Sequence, residues 1–154
     1  MNDQEIDILI SKLNWKNKEK FIRASINELV NIDANKLNKL ILPQNDKALW
    51  ENSAKVLFKI GFPKVNAIFE DLFIWLQDLN WPGCNIIVNL FKNANRNDLI
   101  NNIEKVAKIA ISNSDEMWIG GLKVLIKEID IKENEFDDKE LFKIIENNLM
   151  SFNP

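Results

Sequence analysis

Four tryptophans at nearly even intervals, Trp15, Trp50, Trp81 and Trp118, constrain this chain more than any other feature. Each is followed six and seven residues later by two apolar side chains: Phe21/Ile22, Val56/Leu57, Ile87/Val88 and Val124/Leu125. Steps of 35, 31 and 37 residues are the length of one helix pair, and a unit that short buries its apolar face only by stacking on a neighbour. The pattern predicts an all-α fold built from divergent helical repeats.

Local periodicity agrees. Four Gly and four Pro among 154 residues supply little turn chemistry for a many-stranded sheet, and the length suits one domain with one buried core. Ile6, Leu9, Ile10 and Leu13 predict a first helix over residues 3–13. Asn14 is placed to cap a second helix from Trp15, along which Ile22, Ile26 and Leu29 continue one face. A shorter helix over 35–42 stops before Pro43, because proline disfavours helical geometry in the residue before it. Asp46 caps a fourth helix that ends at Gly61.

After Pro63, Val65, Ile68, Phe69, Leu72, Phe73, Leu76 and Leu79 form an unbroken stripe, with Ile74 and Trp75 off it. A helix apolar on more than one side is packed on more than one side, so this fifth one is expected to be central. Asn80 and Pro82 then frame a sixth helix over 82–91, an acceptor close before a proline that needs no N–H in the first turn. A seventh covers 97–111 and an eighth 115–129, the latter capped by Ser114 or Asp115. Residues 130–154 form an acidic loop and a ninth, capping helix over 138–150, with Leu141, Phe142, Ile145 and Leu149 on one face.

The net charge of −3 argues against a general polyanion binder, which needs clustered Lys and Arg. Residues 1–62 hold 10 basic and 8 acidic side chains, a net +2, whereas residues 63–154 hold 10 and 15, a net −5. Much of the acidic excess lies between Glu128 and Glu140, the pattern of a solvated surface or an acidic face. No segment reads as a signal peptide, and no apolar run approaches the roughly 18 residues that span a bilayer. The sole cysteine, Cys84, permits no internal disulfide. A soluble, monomeric, cytoplasmic chain is expected.

The segment Phe73-Ile74-Trp75-Leu76-Gln77-Asp78-Leu79-Asn80-Trp81-Pro82 resembles the signature of a small bacterial family of helical-repeat proteins, a domain of unknown function. Leu42 to Lys47 is similar to its short Pro/Lys/Asp opening, Gly61-Phe62-Pro63 to its Gly-aromatic-Pro corner, and Asp115 to Trp118 through Leu125 to Glu128 to its second Trp helix. The resemblance covers residues 42–129, leaving 1–41 as an additional N-terminal hairpin. Gly83, Gly120 and Gly121 stand where the pattern calls for bulkier residues. The resemblance implies a short HEAT-like α-solenoid of about four helical hairpins plus a C-terminal capping helix, and it brings no activity.

The absence of histidine excludes Ser-His-Asp and Cys-His catalysis and zinc sites of the usual His and Cys type. Cys84 falls in the first turn of the sixth helix, where a thiolate is favoured, although a buried structural cysteine is the simpler reading. Between Asp130 and Glu140, Lys132 occupies a position where an EF-hand needs an oxygen ligand, and the glycine is missing. Glu70, Asp71, Asp78, Asp115 and Glu116 flank tryptophans at helix ends, and capping accounts for Asp78 and Asp115 better than acid/base chemistry does. HEAT-like DNA glycosylases use aromatic and acidic residues on a concave face, but they need a basic groove that a chain with two arginines resembles poorly.

These observations point to a non-enzymatic protein-interaction module with no cofactor or metal, an unidentified protein partner, and neither nucleic acid nor membrane as ligand. A bacterial immunity or antitoxin-like role is one version. The evenly spaced tryptophans read chiefly as hydrophobic pegs. Trp75, Gln77, Asp78, Asn80 and Trp81 form the candidate recognition corner, with Asp115 and Trp118 from the second Trp helix. The competing class is an enzyme or binder acting on nucleic acid or a small ligand in the concave groove.

Overall fold

A computed structural model describes residues 1–149, and over these the chain is helical, with eight α-helices, five short 3₁₀ segments and no strand. None of these helices is long and apolar enough to cross a membrane. The chain divides into two compact units, the first formed by Met1–Trp75 with Asn80–Asn93, the second by Leu76–Leu79 with the chain from Ala94 on.

The first unit is organised by α3 (Lys47–Ile60), which packs against α1 (Asp3–Ser11), α2 (Glu19–Leu29) and α5 (Cys84–Phe91). Asp46 starts α3 as expected, its carboxylate accepting the Ala48 N–H at 3.0 Å, and Gly61 ends it with a positive φ of 65°. Two buried polar side chains of α3 fasten the loops around it. Asn52 donates to the Leu13 carbonyl at 2.7 Å and Ser53 to the Leu40 carbonyl at 2.6 Å, so each buried group is satisfied while it fixes a chain reversal.

The second predicted helix starts four residues late. Asn14 accepts the Lys16 N–H and Asn17 donates to the Lys12 carbonyl, so these side chains build a local turn that competes with helical backbone, and α2 begins only at Glu19. Residues Ala34–Leu40 are 3₁₀ rather than α, and the chain breaks before Pro43 as its ring requires.

The stripe after Pro63 is not one helix. It winds as 3₁₀ over Lys64–Ile68, α4 over Phe69–Leu72, and 3₁₀ again over Phe73–Gln77. Every stripe residue from Val65 to Leu76 is buried, as is Trp75. The segment is dominated by β-branched and aromatic side chains with modest helix propensity, and ring packing decides the backbone: Phe73 stacks on Phe91 at 4.5 Å and Phe69 on Phe91 at 5.9 Å. Pro82 is likewise not in the first turn of a helix, because α5 starts at Cys84 after Gly83 with φ +88°. A Cβ on Gly83 would lie 2.8 Å from the Ala54 Cβ and 3.0 Å from the Trp50 carbonyl oxygen, so glycine is what lets α5 approach α3.

In the second unit α6 (Arg96–Ser112), α7 (Glu116–Ile129) and α8 (Lys139–Glu146) pack on one another. Side-chain caps start all three: Asn95 to the Asp98 N–H, Asp115 to that of Trp118, and Asp138 to that of Leu141. The buried Glu104 of α6 accepts the backbone N–H groups of Asp137 and Asp138 at 3.4 and 2.8 Å, a negative charge where α8 presents its positive end. Gly121 of α7 faces the Leu76 carbonyl so closely that a Cβ would collide with it. Leu141, Phe142 and Ile145 are buried as expected, but α8 ends at Glu146 and Leu149 is exposed. Asn148 turns inward instead and donates to Glu116. Met150, the expected last residue of that helix, lies outside the described residues.

Candidate functional site

Two adjoining clefts on the first unit share Ile26 and Lys55 and form the upper and lower lobes of a groove, the upper beside α2 and α3 and the lower between α2, α3 and α5. The upper lobe, about 430 Å³, is lined by the Trp15 ring, Ile22, the Arg23–Glu19 pair, Glu51 and Asn52. The lower lobe, about 450 Å³, adds Phe58, Lys59, Ile86 and Asn89.

Local geometry explains how large apolar side chains come to lie open among charged ones on this surface. Ile22 and Ile26 sit one turn apart on α2, as Lys55, Phe58 and Lys59 do on α3, so their side chains share a face. Trp15 is 48 % and Phe58 43 % exposed, large fractions for residues that normally bury most of their area. Their supports are fixed. The Trp15 backbone N–H donates to the Ala48 carbonyl at 3.0 Å, and the Leu13 carbonyl accepts from Asn52. Lys59 Nζ donates to Asn27 Oδ1 at 2.8 Å, bracing α2 against α3 at the lower lobe. An aromatic ring on a pinned backbone loses little entropy when a partner covers it. The groove offers apolar area and ring faces together with ammonium, guanidinium and carboxylate groups.

The tryptophans divide by role. Trp50 is buried, donates its indole N–H to the Pro43 carbonyl and meets the half-buried Trp81 edge-on at 5.3 Å. Trp118 is buried behind its Asp115 cap. Trp50 and Trp118 are thus core side chains and Trp81 is half covered, whereas the turn made by Asn14 and Asn17 ends short of α2 and leaves the Trp15 ring at the surface.

The expected corner is only partly available. Trp75 has no exposed surface, and its indole N–H donates to the Pro82 carbonyl at 2.9 Å, so it cannot meet a partner. Gln77 and Asp78 are half-buried and group with the second unit, while Trp81 is half-buried, Asn80 is exposed, and both group with the first. Asp115 and Trp118 are joined to each other by the cap.

Comparison with known proteins gives one positive finding. A domain of unknown function, DUF5071, matches residues 46–150. The chain belongs to that family. No curated protein and no solved structure matches it. The family stretch includes α3 and α5, two of the three groove walls, but α2 and Trp15 precede it.

Sequence reasoning missed the groove. The available signal was Phe58, an aromatic standing between Lys55 and Lys59 on the polar side of a helix whose core positions are Leu49, Ser53, Val56 and Leu57.

The displaced protonation equilibria lie elsewhere. In the second unit Arg96 forks onto both oxygens of Glu135 at 2.6 and 3.0 Å and also donates to the Ile129 and Asp130 carbonyls. Those side-chain hydrogen bonds, helped by the Lys132 backbone N–H, hold the Glu135 carboxyl down at about 2 and raise Arg96 above its ordinary value. The arrangement fastens the loop after α7. It is the opposite of a carboxyl held protonated to serve as a general acid.

Proposed function

We propose that this chain is a non-enzymatic protein-interaction module that receives its partner in the α2/α3/α5 groove. The observation that carries the proposal is the exposure of Trp15 and Phe58 on fixed supports in two adjoining clefts that share Ile26 and Lys55. Tryptophan and other aromatics dominate binding hot spots because they bring large area at low entropic cost.

Within this proposal the architecture is a short HEAT-like solenoid. Chain-adjacent helices in contact, α1 with α2, α6 with α7 and α7 with α8, support it, as does the Trp-Leu-Gln-Asp-x-Asn-Trp-Pro string as the family's signature. A bacterial immunity or antitoxin-like role is the specific form that net acidity motivates, and a toxin gene beside this one would support it.

Affinity capture from source cells tests the site, using wild type, a Trp15→Ala/Phe58→Glu variant and a Gln77→Ala/Asp78→Ala variant. The groove proposal expects partners to be lost only with the first variant. Loss only with the second moves the site to the corner, and identical recovery with all three overturns both.

A further inference from the structure

We infer that the occupant of the groove is an amphipathic α-helix of a partner protein that carries carboxylates beside its apolar stripe, with the acidic end lying over Lys55 and Lys59. This rests on the protein-interaction reading above and adds the chemistry of the partner.

Three observations lead there. First, the walls are helix faces, α2, α3 and α5, and the described first unit presents no strand edge that an extended peptide could join. A trough between helices takes another helix, because side-chain ridges of one fit the grooves of the next. Second, the apolar contacts occur in successive steps along the groove, Trp15 and Ile22 in the upper lobe, Ile26 shared, Phe58 and Ile86 in the lower. That series suits anchors at i, i+3 or i+4 and i+7 rather than one compact ligand.

Third, charge is distributed asymmetrically. In the upper lobe Arg23 is answered by Glu19 at 2.8 Å, and Lys55 is accompanied by Glu51. The lower lobe is lined by Lys55 and Lys59 with no carboxylate among its lining residues. The lower lobe, where Lys59 meets the neutral Asn27 amide rather than a carboxylate, selects carboxylates, and it also complements the negative C-terminal end of a docked helix. These two lysines belong to the net positive stretch of the sequence, residues 1–62 at +2, within a chain of −3 overall.

A displayed library of helical peptides about four turns long, varied in sequence and charge, is panned against the full chain with Phe58→Glu and Lys55→Glu/Lys59→Glu variants as counter-targets. Both substitutions are on the solvent side of α3, and matched circular dichroism melts verify folding. The expected winners share an apolar i, i+3/i+4, i+7 stripe flanked by Asp and Glu. Their affinity falls by about tenfold or more with either variant and weakens as salt is raised. Groove-dependent winners that are basic or uncharged overturn the acidic helix while leaving the groove as the binding surface. Winners that bind the Phe58→Glu variant equally well overturn the groove itself, and so does the absence of any enriched sequence.

Discussion

The indole N–H of Trp75 donates to the Pro82 carbonyl at 2.9 Å across a bend in which neither residue is α-helical. This bond ties the end of the aromatic stripe to the residue two before α5, and so holds Gly83 against Ala54. Trp75→Phe keeps an aromatic ring in the core but removes the donor and leaves a void where the second indole ring stood. We expect a loss of about 2–4 kcal/mol from the hydrogen bond and the void together, read as a lower urea midpoint, with partner capture unchanged. An unchanged midpoint would show that the bond contributes nothing.

Glycine substitutions test the close approaches. Gly121→Ala drives a Cβ into the Leu76 carbonyl, a backbone atom that cannot swing aside, and is expected to cost about 3 kcal/mol. Gly83→Ala combines φ +88° with the Ala54 contact and costs about 2 kcal/mol or more. At Gly61 the nearest atom is 3.6 Å away, so alanine there meets only backbone strain, but φ 65° with ψ −179° is a conformation essentially reserved for glycine and costs about 1–3 kcal/mol. A midpoint lowered further by Gly121→Ala than by Gly61→Ala supports the close approach to Leu76, and the reverse contradicts it.

The legible parts of the fold are those specified by neighbours in sequence. Asp46 and Gly61 bound α3, Asp115 starts α7 and Pro43 halts the segment before it, each through a cap or a steric rule that acts within a few residues. The break in the aromatic stripe was not legible, because stacking of Phe69 and Phe73 on Phe91 is made across about twenty residues of chain. The groove was hidden for a similar reason. Trp15 carries the same spacing as Trp50, Trp81 and Trp118, and what separates it is where Ala48 and Asn52 hold its backbone. The unusual positions of Gly83 and Gly121 were visible in sequence; what they accommodate became clear only from the packed helices.

Acid sensitivity arises from the Arg96–Glu135 fork. The Glu135 carboxyl titrates at about 2 instead of the ordinary 4.5, so the folded state binds that proton later than the unfolded state. Its contribution to stability is complete above about pH 4.5 and is lost as pH falls toward 2. Glu135→Gln is expected to lower Tm at neutral pH by a few degrees, and the gap from wild type should close as pH falls through that window. Both side chains are partly exposed, at 45 % and 29 %, so the effect remains modest, roughly 1 kcal/mol. A gap that persists unchanged at pH 2 contradicts the assignment.

Glu104 is expected to govern α8. Replacing it with leucine keeps the site filled but strands the N–H groups of Asp137 and Asp138 that it accepts, at a cost of about 1–3 kcal/mol. Hydrogen exchange should accelerate at Asp138 and Leu141 before it does within α3. Uniform acceleration in both helices would mean that α8 does not depend on this carboxylate.

The groove is tested most directly by photo-crosslinking in source cells, with benzoylphenylalanine replacing Phe58, a nearly conservative aromatic change at a 43 % exposed position. Asn101, exposed on α6 in the other unit, serves as the control site. A discrete protein adduct from position 58, absent from position 101 and abolished by the additional Trp15→Ala change, is the predicted result. No adduct at position 58, or the same adducts from both positions, would contradict the groove as the recognition surface.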